Sequence, residues 1–239
     1  MSEEFILRAK AEDVLTEAVV ASNGLVDDFA AFPVVEYICS AIFLKMTGLL
    51  EQKFRAAAWT MANNNRDYRY EFLRKKHSQC SRYDDKQSVY KDLIAEIFLL
   101  KYGEFEIDHR NIAQEAITFI QSLFQNTIFS SCLSADFLGF KKELNGNFFS
   151  KVKITANSAT HVLITNSDIK NLFEEVIHGR NKIAHNLYVN KCVKNDLTEL
   201  CVRKKINHNN IFIQFFVLLY IDKIFNYIYQ IYSTEQDKL

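Results

Sequence analysis

Apolar residues recur along this chain at helical spacing, and their breaks divide it into elements. Residues 8–21 predict a short amphipathic helix that stops at the turn Asn23-Gly24. Pro33 suits the first turn of a long helix to about Met61, which carries Val34, Tyr37, Ile38, Ala41, Ile42, Leu44, Leu49 and Phe54. Asn63, Asn64 and Asn65 end it. Residues 87–103 predict a second core helix through Val89, Leu93, Ile94, Ile97, Phe98 and Leu100, with Gly103 as its C-cap. Asp108 caps the next helix, which runs to about Asn126. A short helix over Ser134–Leu144 ends at Asn145-Gly146. From Phe148 to Thr165 the pattern alternates, through Val152, Ile154, Val162 and Ile164, as a small β-hairpin or an extended insertion would. Asp168–Asn190 predicts a helix capped by Ser167 or Asp168. Leu172, Val176, Ile183 and Leu187 fall on one side of it, with Phe173, Ile177 and Ala184 beside them. The last helix, Ile211 to about Tyr232, is apolar around most of its circumference, as a central core helix or a subunit interface requires. The pattern predicts an all-α bundle in one domain, 1–239, with insertions at 63–86 and 147–166.

Composition narrows the reading. A single Pro among 239 residues permits long uninterrupted helices. The formal net charge is zero, so any nucleic-acid site must be a local patch. The five cysteines are odd in number, widely spaced and without a C-x-x-C pair, which suggests neither a disulfide framework nor a zinc site and fits a reducing cytosol. The first residues, MSEEFILRAKAEDVL, lack the apolar run of a signal peptide. No unbroken apolar run reaches the ~18 residues that a membrane span needs. A cytoplasmic protein without membrane contact is expected.

Two stretches carry candidate chemistry. Residues 63–86 interleave Arg66, Arg69, Arg74, Lys75, Lys76, His77 and Arg82 with Tyr68, Tyr70, Phe72 and Tyr83. Such a mixture can hold phosphates and stack on unpaired bases; it also describes a solvated loop with a partly helical arm. The second stretch is the helix after Asp168. Arg180 falls inside its apolar arc, where a guanidinium is costly unless paired. Asn181 and His185, four apart, share another face, which His178 joins.

The run Arg180-Asn181-x-x-Ala184-His185 resembles the R-N-x-x-A-H form of the R-x4-6-H motif of the HEPN superfamily. The run FLKMTGLLEQKF, Phe43–Phe54, resembles the first core helix of that family, and Glu51-x3-Arg55 is similar to an acidic-x3-basic pair that some members carry there. The resemblance implies a HEPN-like helical bundle that forms a homodimer. In such a dimer two copies of the motif build one metal-independent RNA-cleaving site that needs no cofactor. It implies Arg180, His185 and Asn181 as catalytic residues. Of the candidate RNA contacts, Glu51 and Arg55 follow from the resemblance, Arg69, Arg74, Lys75 and Lys76 from the basic and aromatic stretch, and Lys182 and His178 from their place beside the motif, where His178 has no motif support and reads equally as a solvated neighbour. The resemblance also implies the role of a small bacterial toxin or anti-phage defence effector, with an antitoxin or sensor protein as a further partner. Tyr188 stands one residue out of register with the tyrosine that nucleotidyltransferase partners modify in R-x4-6-H-x-Y toxins, and core or interface packing is its reading here. The alternative is a non-catalytic HEPN module that binds a nucleotide or a partner protein. A chance motif predicts that Arg180 pairs with a core carboxylate, whereas a functional one leaves it open to a cleft.

Overall fold

A computed structural model describes residues 3–25, 31–74, 80–100, 104–144, 149–155, 161–186 and 209–238, with side chains for all of these but 71–74 and 181–186. Among the described residues there are ten helices: α1 Glu3–Arg8, α2 Ala11–Ser22, α3 Phe32–Asn64, α4 Arg66–Arg74, α5 Tyr83–Leu100, α6 His109–Phe124, α7 Ile128–Cys132, α8 Ser134–Glu143, α9 Ser167–Asn186 and α10 Ile211–Gln236. Two short strands, β1 Phe105–Asp108 and β2 Lys151–Ile154, complete an all-α fold with one small sheet.

The last helix is the hub. Asn210 starts it by accepting the Phe212 and Ile213 N–H groups. Its apolar residues then point in every direction, so every side must be covered. It packs against α2, α3, α5, α6, α8 and α9. Phe212, Phe215, Phe216, Leu219, Tyr220 and Ile224 are fully buried. Phe212 meets Phe137 and Phe124 edge-on, at centroid distances of 5.1 and 5.2 Å. Such pairs add about 0.5–1.5 kcal/mol each beyond their area burial. Gly139 of α8 lets Asn210 come close, since a Cβ there would lie 3.2 Å from its amide nitrogen. That amide donates to the Asp136 carbonyl.

A buried ion pair ties the hub to α3. Lys53 and Asp222 are both almost fully excluded from solvent, with Nζ and Oδ1 2.5 Å apart. The ammonium also donates to the Ala9 carbonyl and Asn226 Oδ1, while Asp222 Oδ2 accepts from the Ala11 N–H and the Asn226 amide. Every polar group in the cluster is therefore partnered, which is what makes two buried charges tolerable. Burial pushes the Lys53 pKa down, and Asp222 opposes that shift.

Several boundaries differ from the sequence reading. The helix expected over 8–21 is α2, which starts at Ala11, and a short helix that the periodicity did not mark, α1, precedes it; the two meet at this ion-pair cluster. Residues 128–132 form a helix that the periodicity had not marked; it is one turn long and rests on a capping box, Thr127 with Ser130. The small sheet is present and its β2 strand lies where expected. Its partner, however, is β1, paired antiparallel with Phe105 opposite Ile154 and Asp108 opposite Lys151. Ile107 and Ile154 face the core, and Lys151 and Lys153 pair with Asp108, Glu106 and Glu104. The stretch 161–165 is held elsewhere: Gln87 of α5 donates to the His161 carbonyl and accepts the Leu163 N–H. Asn145, Gly146 and Gly103 lie outside the described residues.

Two helices, α3 and α10, are long and apolar enough by length and composition to cross a membrane, although no unbroken apolar run suggested it. In α10, 72% of that stretch is buried by the other helices, so the core accounts for its apolarity; in α3 the share is 39%.

Candidate functional site

The motif lies on α9. The chain enters that helix through Asn166, whose Oδ1 accepts from the Asp168 and Ile169 N–H groups at 2.8 and 3.1 Å. The cap is thus one residue earlier than Ser167, and for the same reason: a short polar side chain that satisfies the first free amides. Ile169, Leu172, Phe173 and Val176 are buried against the core, and α9 packs on α3 and α10. The apolar face expected from the sequence is present over these turns. The side chains of Asn181, Lys182, Ile183, Ala184 and His185 lie outside the described set, as do residues 187–208 with Leu187, Tyr188 and Asn190. By backbone position, 181 and 185 share a stripe of α9 with Glu174 and His178.

Arg180 has a partner. Its Nη2 lies 3.1 Å from Glu51 Oε2 of α3, with the arginine side chain 27% exposed and the glutamate 16%. This ion pair joins the two segments that the sequence singled out, one from each helix. It also answers the cost of a guanidinium in an apolar arc, because a paired and half-buried charge is tolerated. Pairing with a half-buried carboxylate is the arrangement expected of a structural arginine, but the remaining exposure keeps the guanidinium within reach of solvent. Arg55, one turn after Glu51, is exposed.

Near enough to feel both charges of the pair is a group that the sequence reading missed. Lys86 of α5 is fully buried and donates to the carbonyls of Cys80 and Ser81, with its ammonium 5.5 Å from the centre of the Phe173 ring on α9. Burial lowers its pKa to about 8. Cys80, Glu51 and Asp85 oppose that shift, and Arg180 adds to it. Cys80 is itself buried, in a left-handed backbone conformation with φ 51°, and burial raises its thiol pKa to about 11. The signal was available. Tyr83, Lys86, Tyr90 and Leu93 follow helical spacing, but a helix started at 87 rather than 83 leaves Lys86 in a loop.

The basic and aromatic segment divides. Its first part is the helix α4, started by Asn65, whose Oδ1 accepts from the Asp67 and Tyr68 N–H groups. Arg69 turns back to cap α3, donating to the Ala62 and Asn63 carbonyls at 2.7 and 3.1 Å, as cations at helix C-termini do. Tyr68 is buried with its hydroxyl on Asp92, whereas Tyr70 is 61% exposed and Arg66 is exposed. The Arg74 side chain, and Lys75, Lys76 and His77, lie outside the described set. His178, exposed on α9, lines a groove of about 280 Å³ with Glu174, Ile177 and the start of α5, namely Arg82, Tyr83 and Asp84. No family model, curated protein or solved structure matches the chain.

Proposed function

We propose that the protein is a HEPN-like, metal-independent endoribonuclease that works as a homodimer. This reading draws on the adjacency of the Arg180-Asn181-x-x-Ala184-His185 run and the Glu51-x3-Arg55 run, which the Arg180–Glu51 pair brings side by side; the pairing itself is what a structural arginine also shows. RNA carries its own nucleophile in the 2′-hydroxyl. Cleavage needs a group to accept the hydroxyl proton, a group to protonate the departing 5′-oxygen, and positive charge beside the oxygens of the pentacoordinate phosphorus. An imidazole titrates near neutrality and serves either proton transfer. One imidazole cannot do both in a single step, and a two-fold dimer supplies two. In this reading His185 is the acid/base and Asn181 orients it. Arg180 exchanges the Glu51 carboxylate for phosphate oxygens, which its planar fork grips in pairs. The strand breaks between phosphorus and the 5′-oxygen. A 2′,3′-cyclic phosphate and a 5′-hydroxyl remain. A toxin or defence role, held in check by an antitoxin or sensor protein, follows from the same resemblance.

The same ion pair also supports a second reading, a non-catalytic module in which Arg180 serves only to lock α9 to α3. One experiment separates the two. Wild type, Arg180→Ala and His185→Ala are each incubated with total RNA in EDTA. The nuclease reading predicts degradation by the wild type, and a loss of at least about a hundredfold in each variant, the scale of one acid/base group for His185 and of one charge-stabilising donor for Arg180. Intact RNA in all three lanes, or equal degradation in all three, contradicts it.

A further inference from the structure

We propose that the groove between the start of α5 and the middle of α9 receives one guanine base of the RNA, adjoining the reacting phosphodiester. This inference rests on the endoribonuclease reading and adds a substrate preference to it.

Position is the first argument. Glu174 and His178 of the groove continue the stripe of α9 that holds positions 181 and 185. From 178 to 185 the helix advances roughly 10 Å at 1.5 Å per residue, so the groove neighbours the motif without coinciding with it. A strand crossing the motif along this stripe passes over the groove.

Size and lining are the second argument. The volume of about 280 Å³ falls just under the roughly 300–1,000 Å³ of sites for drug-sized ligands, which suits one base. Ile177, half-buried, supplies an apolar wall for a flat ring, and the small exposed part of the otherwise buried Tyr83 forms the floor beside it. Tyr83 is held in place: its hydroxyl donates to Gln87 and its ring meets Phe173 edge-on. The Lys170 ammonium sits 4.8 Å from the ring centre and 3.7 Å from Glu174.

Edge chemistry is the third argument. The groove offers acceptors, the Asp84 and Glu174 carboxylates, and donors, Arg82 and His178. Two carboxylates make it a poor phosphate site. Guanine carries adjacent donors, N1–H and the N2 amino group, on one edge and adjacent acceptors, O6 and N7, on the other. A carboxylate can take the first pair and a guanidinium the second. Adenine sets the N1 lone pair against the carboxylate; cytosine has the adjacent acceptors N3 and O2 but no adjacent donor pair, and uracil has neither, so each leaves a charged group unmatched.

The test has two arms, both on the full chain. In the first, wild type, Glu174→Gln and Arg82→Gln cleave an RNA of randomised sequence, and the fragment ends are sequenced. Guanine should be enriched at one fixed offset from the cut, by about tenfold, the scale of one bidentate base contact. Both variants should flatten the enrichment. In the second arm, equilibrium dialysis compares 5′-GMP with 5′-AMP on the same three proteins. Tighter GMP binding by wild type, lost in Glu174→Gln, supports the site even where no RNA is cut, the outcome that would sink the nuclease reading alone. Cleavage with no fixed-offset guanine preference overturns this inference and leaves the nuclease reading standing. Equal binding of the two nucleotides, or a preference unchanged in both variants, overturns it as well.

Discussion

His109 shows how far one residue can depart from what its type suggests. It begins α6 and is fully buried, with Nδ1 2.8 Å from the Tyr220 hydroxyl and Nε2 lacking a hydrogen-bond partner. Burial pulls its pKa from the ordinary 6.5 down to about 4, against a small opposing pull from Asp108. The folded protein then resists a proton that the unfolded chain accepts. Stability from this group is complete above pH 6.5 and falls as pH drops toward 4, by about 2 kcal/mol between pH 7 and pH 5. Urea unfolding at the two pH values measures this, and His109→Phe should remove most of the drop. An unchanged drop in that variant contradicts the assignment. Nothing in the sequence around His109 marks it as buried, because burial here depends on Tyr220, 111 positions away. Lys53 stands among apolar residues in the sequence, Leu49, Leu50 and Phe54, but nothing near it points to its partner Asp222, 169 positions away.

At the scale of elements, the helices with strong periodicity were read correctly: α3, α6, α9 and α10 are where the apolar spacing places them. The misses have local causes. A one-turn helix has too few residues to show a period, as at 128–132. The partner of β2 is set by long-range burial of Ile107 and Ile154, which alternation within 148–165 does not encode. Of the candidate site, the helix and its inward face were legible. The identity of Glu51 as Arg180's partner was not, since the two are 129 positions apart, and the role of Arg69 as the cap of α3 was hidden by the basic run around it. The motif helix carries its own weak point in Gly179. A Cβ there meets nothing within 4 Å, so Gly179→Ala should stabilise the protein by up to about 1 kcal/mol through backbone entropy alone. Thermal unfolding reads this as a higher midpoint; a lower midpoint would show that something closes on that face.

At the scale of the whole molecule, the Lys53–Asp222 cluster holds three parts together: the α1–α2 junction, α3 and α10. Asp222→Ala strands a buried ammonium and should cost about 3–5 kcal/mol, with much of it recovered when Lys53→Met is added. Chemical denaturation of the single and double variants checks this, and a single variant within about 1 kcal/mol of wild type contradicts it. In the proposed nuclease, a second copy of the chain supplies the second His185 imidazole for the two proton transfers of RNA cleavage. The most direct measurement is the end chemistry of RNA fragments made in EDTA. The account predicts 2′,3′-cyclic phosphate and 5′-hydroxyl ends from wild type and none from His185→Ala. Fragments with 5′-phosphate ends, the same ends from His185→Ala, or no fragments at all would contradict it.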